Sequence, residues 1–307
     1  MKSRIRWILP FAVVALAIGA CQPAKKKPTP RQIVCPQAPP ANDIGPINFE
    51  PPTYAPGNIH NQDGWSATEA NGFDYDQEVV ANSNFPGAGA DCFGSQSWRD
   101  SNFVTGTSFG DQPITPSLPD DAGETGAKND PPPPGDPSSE GPTQPFFEAE
   151  WQFASAVPDA EQPGLALIAS PTRGDESRMS WVEMRDTPGG LEVRFIEITD
   201  STSPVDFPIV TLVTGLDRSL PHTIRLTIEF VDGSSNDIVQ VFVDGNLVKT
   251  GTSFENYFWF DVEALPESGP RTVDSILFHN RGANAPDAEG QGFLIENVTL
   301  GSGAVPT

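Results

Sequence analysis

The stretch Ile238-Val239-Gln240-Val241-Phe242-Val243-Asp244-Gly245-Asn246-Leu247-Val248-Lys249-Thr250, IVQVFVDGNLVKT, sets two β-rich runs against each other with only Asp-Gly between them. Asp-Gly supplies the positive φ values of a type I′ turn, the tightest connection between antiparallel strands. The stretch is therefore a hairpin. Period-two alternation continues upstream. Thr223–Phe230 (TIRLTIEF) puts Ile224, Leu226, Ile228 and Phe230 on one face and Thr223, Arg225, Thr227 and Glu229 on the other. Phe147–Phe153 (FEAEWQF) alternates in the same way, so both are half-buried strands. Met179–Arg185, Leu191–Ile198, Ser275–Phe278 and Phe293–Leu300 also have strand composition, and turn signals separate them at Pro188-Gly189-Gly190 and Asp232-Gly233. No segment holds a helical period over three turns. The pattern predicts an all-β sandwich of antiparallel strands.

Composition agrees with a loop-rich chain. Of 307 residues, 33 are proline and 28 glycine. The length suits one sandwich domain of roughly 200–250 residues. The chain has 18 basic and 41 acidic residues, net −23. That balance argues against nucleic acid, which requires lysine and arginine to displace its counterions. It fits solubility, salt tolerance or affinity for cations.

The N-terminus, MKSRIRWILPFAVVALAIGAC, has a basic start (Lys2, Arg4, Arg6) and an apolar run from Trp7 to Ala17. The run is too short to span a bilayer, which takes about 20 apolar residues, and is expected to be a secretory signal. Ile18-Gly19-Ala20-Cys21 resembles a bacterial lipobox. The resemblance implies cleavage after Ala20, lipidation of Cys21 and anchoring in the cell envelope; the alternative is ordinary cleavage that leaves a free thiol. Gln22 after the cysteine resembles lipoproteins exported to the outer membrane. Lipidation of Cys21 would leave Cys35 and Cys92, either bridged or free, in a compartment that permits disulfides. There is no CxxC spacing of the kind structural zinc sites use.

Proline recurs through residues 22–58, which predicts an extended spacer covering residues 21–61. Lys25, Lys26 and Lys27 within it either touch anionic headgroups or form a solvated charge run. A second proline-rich piece, near 127–145, contains four consecutive prolines (Pro131–Pro134) that cannot lie inside a sheet. It is expected to be a surface insertion in a domain running from 62 to 302.

The ordered series YDQEVVANS (75–83), FGSQSWRDSN (93–102), SFGDQ (108–112), FFEAEWQFASA (146–156), RMSWVEMRD (178–186), HTIRLTIEFVDG (222–233), NDIVQVFVDGNLVKTGTSFENYF (236–258), VDSILFHNRGA (273–283) and GQGFLIENVTL (290–300) resembles the concanavalin A-like (laminin G/pentraxin-like) jelly-roll domains of secreted bacterial proteins. The resemblance implies a jelly-roll sandwich of two antiparallel sheets. It spans both sides of the proline loop, which is why that loop is read as an insertion. Lectins, adhesion modules, hydrolases and lyases share this fold, so it does not decide function.

Sandwich glycosidases of this kind carry E-x-D-x-x-E or a close variant on one strand face. Glu148 and Glu150 share a face, but Gln152 takes the next position and no third acid follows. Glu192 and Glu197 fall on opposite faces. No G-x-S-x-G elbow occurs. Of the three histidines, His60 lies in the spacer, His222 caps or packs at the start of a strand, and His279 stands at a strand exit with Asn280 and Arg281. Lyases of this fold pair a Tyr or His base with an Arg, roles that Tyr257, His279 and Arg281 would fill if they met in space. A sugar site needs less: an aromatic plate and planar polar groups. Trp181 shares a face with Glu183 and Arg185, Phe242 with Gln240 and Asp244, and Trp259 follows Tyr257 and Phe258; each of these aromatics is otherwise core. The predicted ligand set is Trp181, Arg194, Arg225, Tyr257, His279 and Arg281.

Related lectin-like folds hold calcium in Asp/Asn loops, and two loops offer oxygen ligands here: Asp232, Asn236 and Asp237, or Asn284, Asp287 and Glu289. The first loop is equally a hairpin turn. The expectation is thus a lipid-anchored envelope protein with a non-catalytic, carbohydrate-recognising sandwich and no catalytic residues. The alternatives are a polysaccharide-degrading enzyme, lyase before hydrolase, or a structural and adhesive lipoprotein.

Overall fold

In the computed structural model the chain divides into two units, Met1–Ile33 and Val34–Thr307. The described residues are 35–40, 42–67, 76–87, 89–103, 112–131, 136, 138–174, 177–261, 269–281 and 288–306, all in the second unit. The expected signal segment, Cys21 and the lysine run lie outside them. Among the described residues no helix is long and apolar enough to cross a membrane.

The second unit is a sandwich of two antiparallel sheets. The larger runs in the order β13 (Asn246–Gly251), β12 (Ile238–Val243), β11 (His222–Glu229), β6 (Phe146–Ser155), β16 (Phe293–Gly303), β4 (Gln96–Asp100), β3 (Gln77–Ala81) and β2 (Gly57–Asn58); β1 (Ile44–Ile47) pairs with β16 as a ninth strand. The smaller runs β10 (Ile209–Leu216), β9 (Gly190–Ile196), β8 (Trp181–Thr187), β7 (Ala166–Thr172) and β15 (Ser275–Asn280). A minor pair joins β5 (Ala122–Gly123) to β14 (Thr272–Val273), and a short helix, α1 (Glu255–Phe260), follows β13.

The opening hairpin forms as its sequence requires. Asp244 (φ 49°) and Gly245 (φ 77°) both take positive φ between β12 and β13. In β11 the expected inward set Ile224, Leu226, Ile228 is buried, and β6 buries Phe147, Ala149, Trp151 and Phe153. These side chains meet those of the smaller sheet. Trp98 of β4 and Trp151 of β6 both pack against Phe278 of β15, with ring centroids 4.9 and 6.1 Å apart. Trp151 Nε1 donates to Met184 Sδ of β8 at 3.4 Å. The two sheets are thus joined by aromatic contacts, which add to plain area burial.

Three features differ from the sequence expectation. The predicted spacer does not extend to residue 61. Ile47, Phe49, Tyr54 and Ile59 are buried in the main core, and β1 pairs Ile44 with Leu300 and Ile47 with Val298. Pro46 lies within β1 and Pro51 and Pro52 in a turn, while Phe49 between them reaches Trp65 and Trp98. Strand β7 (ALIASPT) is buried at every position, so it shows no alternation. Strand β10 lies at the edge of the smaller sheet and is exposed or half-buried throughout, with Leu212, Val213 and Leu216 packed against the core.

Cys35 and Cys92 form a disulfide with Cα atoms 5.2 Å apart. The described flanks of the proline-rich stretch lie against β14 and its neighbours. Lys128 N–H donates to Pro270 O at 2.8 Å, Thr272 N–H to Asn129 Oδ1 at 3.1 Å, and Ser139 N–H to Asp274 Oδ2 at 2.6 Å.

Candidate functional site

In the smaller sheet the inward residues are Val182 and Met184 of β8 and Val193 and Phe195 of β9, all buried in the core. Their alternates therefore point away from the core. Register places Arg194 opposite Glu183, Glu183 opposite Ile168, and Ile168 opposite His279. One row across β9, β8, β7 and β15 thus reads Arg194, Glu183, Ile168, His279. Arg281 follows just past the end of β15.

Glu183 is the hub of this row. Its side chain is 1% exposed and accepts from Arg194 Nε at 2.6 Å, with Arg194 Nη2 also paired to it. Arg281 Nη1 stands 3.6 Å from its other oxygen. Two arginines share one carboxylate: hydrogen bonds fix the Arg194 guanidinium, the Arg281 guanidinium is held by charge at 3.6 Å, and further N–H groups remain for a ligand. Glu192 adds a second carboxylate, 3.6 Å from Arg194 Nε and 4.0 Å from Arg185 Nη1.

Aromatic rings flank the charges. The Trp181 ring meets His279 edge-on at 5.4 Å and Phe254 at 5.5 Å, and stacks on Phe207 at 6.1 Å with planes 28° apart. Phe207 is 42% exposed, one of four large hydrophobic residues so exposed among the described residues. Tyr257 joins from the other end, 6.0 Å from Phe207. The backbone secures this group: Phe254 N–H donates to Met179 O at 2.7 Å, fastening the turn before α1 to the start of β8. His279 is buried and its Nδ1 lies 3.1 Å from Asn280 O.

Trp181, Arg194, Tyr257, His279 and Arg281 therefore come together, although three strands, the loop after β15 and a helix supply them. Arg225 does not join them. It sits on the outer face of the larger sheet, with its guanidinium 3.8 Å over Phe242 and Nη1 donating to Glu148 at 3.0 Å. Alternation put Arg225 on a solvent face but could not say which sheet owned that face. The sequence reading named Glu183 only as a neighbour on the Trp181 face, and missed Phe207 and Phe254. Phe207 lies in a polar, proline-bounded loop (SPVDFPIV) with no periodicity to mark it.

The carboxylates considered for catalysis are engaged elsewhere. Glu148 pairs with Arg225, and burial pushes the Glu150 carboxyl up. Gln152, where a third acid would stand, instead donates through Nε2 to Gln37 O and accepts from Asn297 Nδ2. His222 bonds Asp244 Oδ2 at 2.8 Å and Asp217 O at 3.1 Å, which ties the hairpin tip to the preceding loop.

The metal expectation is redrawn. Asp232 accepts from Thr125 N–H through its carboxylate, and Asn236 spends its amide on Asp232 O. Asp237 turns inward, where its partners are Val231 N–H and Ser253 Oγ. Its neighbours there are Glu124 and Glu255, and a carboxylate oxygen from each of the three lies within 4.8 Å of the others. Burial, then Glu255, then Glu124, push Asp237 up to about 8 against opposing hydrogen bonds. Asn284 and Asp287 lie outside the described residues, and Glu289 is exposed.

No family model and no curated protein matches the chain. Several solved structures are similar to it. An endo-β-1,4-glucuronan lyase from the fungus Trichoderma reesei aligns over 78% of this chain and 94% of its own, at 14% identity and a TM-score of 0.38. A carbohydrate-binding module from Bacillus subtilis aligns over 80% and 100%, at 11% identity and 0.36. The potassium-bound carbohydrate recognition domain of Emp46p aligns over 79% and 90%, at 15% identity and 0.37. The sandwich itself is established by the strand order and register described above.

Proposed function

We propose that the chain is a lipid-anchored envelope protein whose smaller sheet presents a carbohydrate-binding platform without catalysis. The observation that carries this reading is the stacked Trp181–Phe207 pair beside the Arg194–Glu183–Arg281 group. A pyranose ring offers an apolar C–H face and a rim of hydroxyls. The first matches an aromatic plate and the second matches fixed N–H and carboxylate groups. Glu183 holds both arginines before any ligand arrives, which lowers the ordering cost of binding. His279 is buried behind Trp181, a position suited to supporting the indole and poorly suited to exchanging a proton with a bound sugar.

A glycan-array screen of the full chain tests the proposal, with every spotted polysaccharide assayed afterwards for new reducing or unsaturated ends. Binding to intact glycans that disappears in Trp181→Ala supports it. New chain ends would establish an enzyme in its place. The absence of both would leave a structural or adhesive envelope protein.

A further inference from the structure

The cluster of Glu124, Asp237 and Glu255 lies apart from the residues assigned to the platform. Glu124 follows β5, Asp237 ends the loop before β12, and Glu255 starts α1, so three separate elements bring their carboxylates to one buried point. Glu255 is 0% exposed and Glu124 4%. Neighbouring backbone groups already fix the geometry. Asn236 and Asp237 N–H both donate to Glu255 Oε1, at 2.5 and 2.9 Å, and Gly233 N–H donates to Glu124 Oε2 at 2.6 Å. Two oxygens are left over. Glu255 Oε2 is buried without a hydrogen-bond partner, and Glu124 Oε1 is buried with only the Trp259 indole N–H near its carboxyl.

Nothing among the described residues neutralises this charge. No arginine, lysine or histidine forms an ion pair with any of the three. The nearby charge that acts on Glu124 besides Glu255 is another acid, Asp232. Buried like charges without a counter-charge are strongly unfavourable, so the cluster calls for a cation or for protons.

We propose that Glu124, Asp237 and Glu255 form a binding site for a hard divalent cation, calcium by preference. All the donors are oxygen, without the imidazole or thiolate that would favour zinc or copper. Two oxygens on opposite sides of a calcium ion stand about 4.6–5.2 Å apart, twice the usual Ca–O distance. One carboxylate oxygen from each of the three lies within 4.8 Å of the others, close enough for all three to share one ion. Magnesium takes a tighter octahedron and retains most of its water, which a buried, carboxylate-lined point accommodates poorly. An ion here would also fasten the turn before α1, which carries Phe254 against Trp181.

The test is thermal melting of the full chain, freed of metal with a chelator at pH 7.5 and then titrated with Ca²⁺ or Mg²⁺. A hundredfold excess of Ca²⁺ over Kd should raise Tm by roughly 5–10 °C. Tb³⁺ should bind in place of Ca²⁺ and emit under tryptophan excitation, because the Trp259 indole lies against the Glu124 carboxyl. Glu255→Gln and Asp237→Asn should each abolish the Ca²⁺ shift. Their metal-free Tm should stay level or rise, since each removes a buried like charge and keeps the side-chain shape. That readout separates loss of the site from loss of the fold. No Ca²⁺ shift in the wild-type chain, or a shift that persists in both variants, would overturn the site. A Mg²⁺ shift equal to that of Ca²⁺ would overturn the preference for calcium.

Discussion

On the outer face of the smaller sheet, Arg194 meets a carboxylate, Glu183, whose side chain is 1% exposed; on the outer face of the larger sheet, Arg225 meets Glu148, whose side chain is 28% exposed. Arg225 lies over the Phe242 ring, while Arg194 pairs across the strands with Glu183, two residues along β8 from Trp181. What differs is the cover. The loop carrying Phe207 and the turn carrying Phe254 pack their rings on Trp181 at one end of the smaller sheet, whose Glu183 is buried. Among the described residues no aromatic ring packs on Phe242, which keeps its arginine as a half-exposed lid. Strand alternation sets which residues face outward, and loops decide which outward residues become a site.

The sharpest way to break this contrast is to remove one acid from each face. Glu183→Gln leaves Arg194 and Arg281 without their shared counter-charge in a desolvated setting and should cost about 3 kcal/mol of stability. Glu148→Gln removes an exposed pair and should cost below about 1 kcal/mol. Chemical denaturation of both variants measures the difference. Equal losses would mean that Glu183 is no more desolvated than Glu148.

Next in size is a binding effect. If the smaller face is the platform, Trp181→Ala should weaken glycan binding by more than tenfold, about 2 kcal/mol, as expected for an aromatic anchor. Phe242→Ala on the other face should leave binding unchanged. Affinity electrophoresis against a glycan retained on the array would show it. Equal losses from both substitutions would move the platform or divide it between the faces.

The larger sheet has a charge of its own, hidden under its face. Glu296 of β16 is buried, and burial, opposed by bonds from Asn297 N–H and Ser97 Oγ, pushes its carboxyl up to about 9 from 4.5. Glu50 is the neighbouring charge acting on it, and it pushes the same way. The folded state therefore holds a proton that the unfolded chain gives up above pH 4.5. Stability from this group is complete below pH 4.5 and is lost as pH rises toward 9, by at most about 1.4 kcal/mol per pH unit. Glu296→Gln should match the wild-type chain near pH 4 and exceed it at pH 8. Parallel melting curves for the two proteins across that range would show instead that Glu296 folds ionised.

How far the sequence reaches follows from these same residues. The Asp244-Gly245 turn, the β6 and β11 faces and the overall sandwich are legible because each rests on local rules of alternation and turn chemistry. The joining of Trp181, Arg194, His279 and Arg281 is half legible: alternation puts them on solvent faces, but only register across β9, β8, β7 and β15 aligns them. Arg225 has the same local signature as Arg194 and belongs to the other sheet, a distinction that depends on strand order alone. Glu124 and Glu255 were not legible as partners of Asp237. They come from a two-residue strand and a six-residue helix, elements too short to leave a pattern. The buried residues of the supposed spacer were masked by the prolines between them.

The smallest expected effect tests the comparison from its quiet side. Arg225→Ala removes one exposed ion pair to Glu148 and one stacked contact with Phe242, each worth roughly 0.5–1 kcal/mol at such sites. Part of that should return, because Phe242 stays in the sheet and Glu148, no longer paired, can hydrate freely at its exposed edge. A net loss below about 1 kcal/mol by denaturation, with glycan binding intact, is therefore expected. A loss as large as that of Glu183→Gln would show that Arg225 holds β6, β11 and β12 together as firmly as Glu183 holds the opposite face. The two faces would then differ in their aromatic cover without differing in the strength of their charges, and the case for the platform would rest on Trp181 and Phe207 alone.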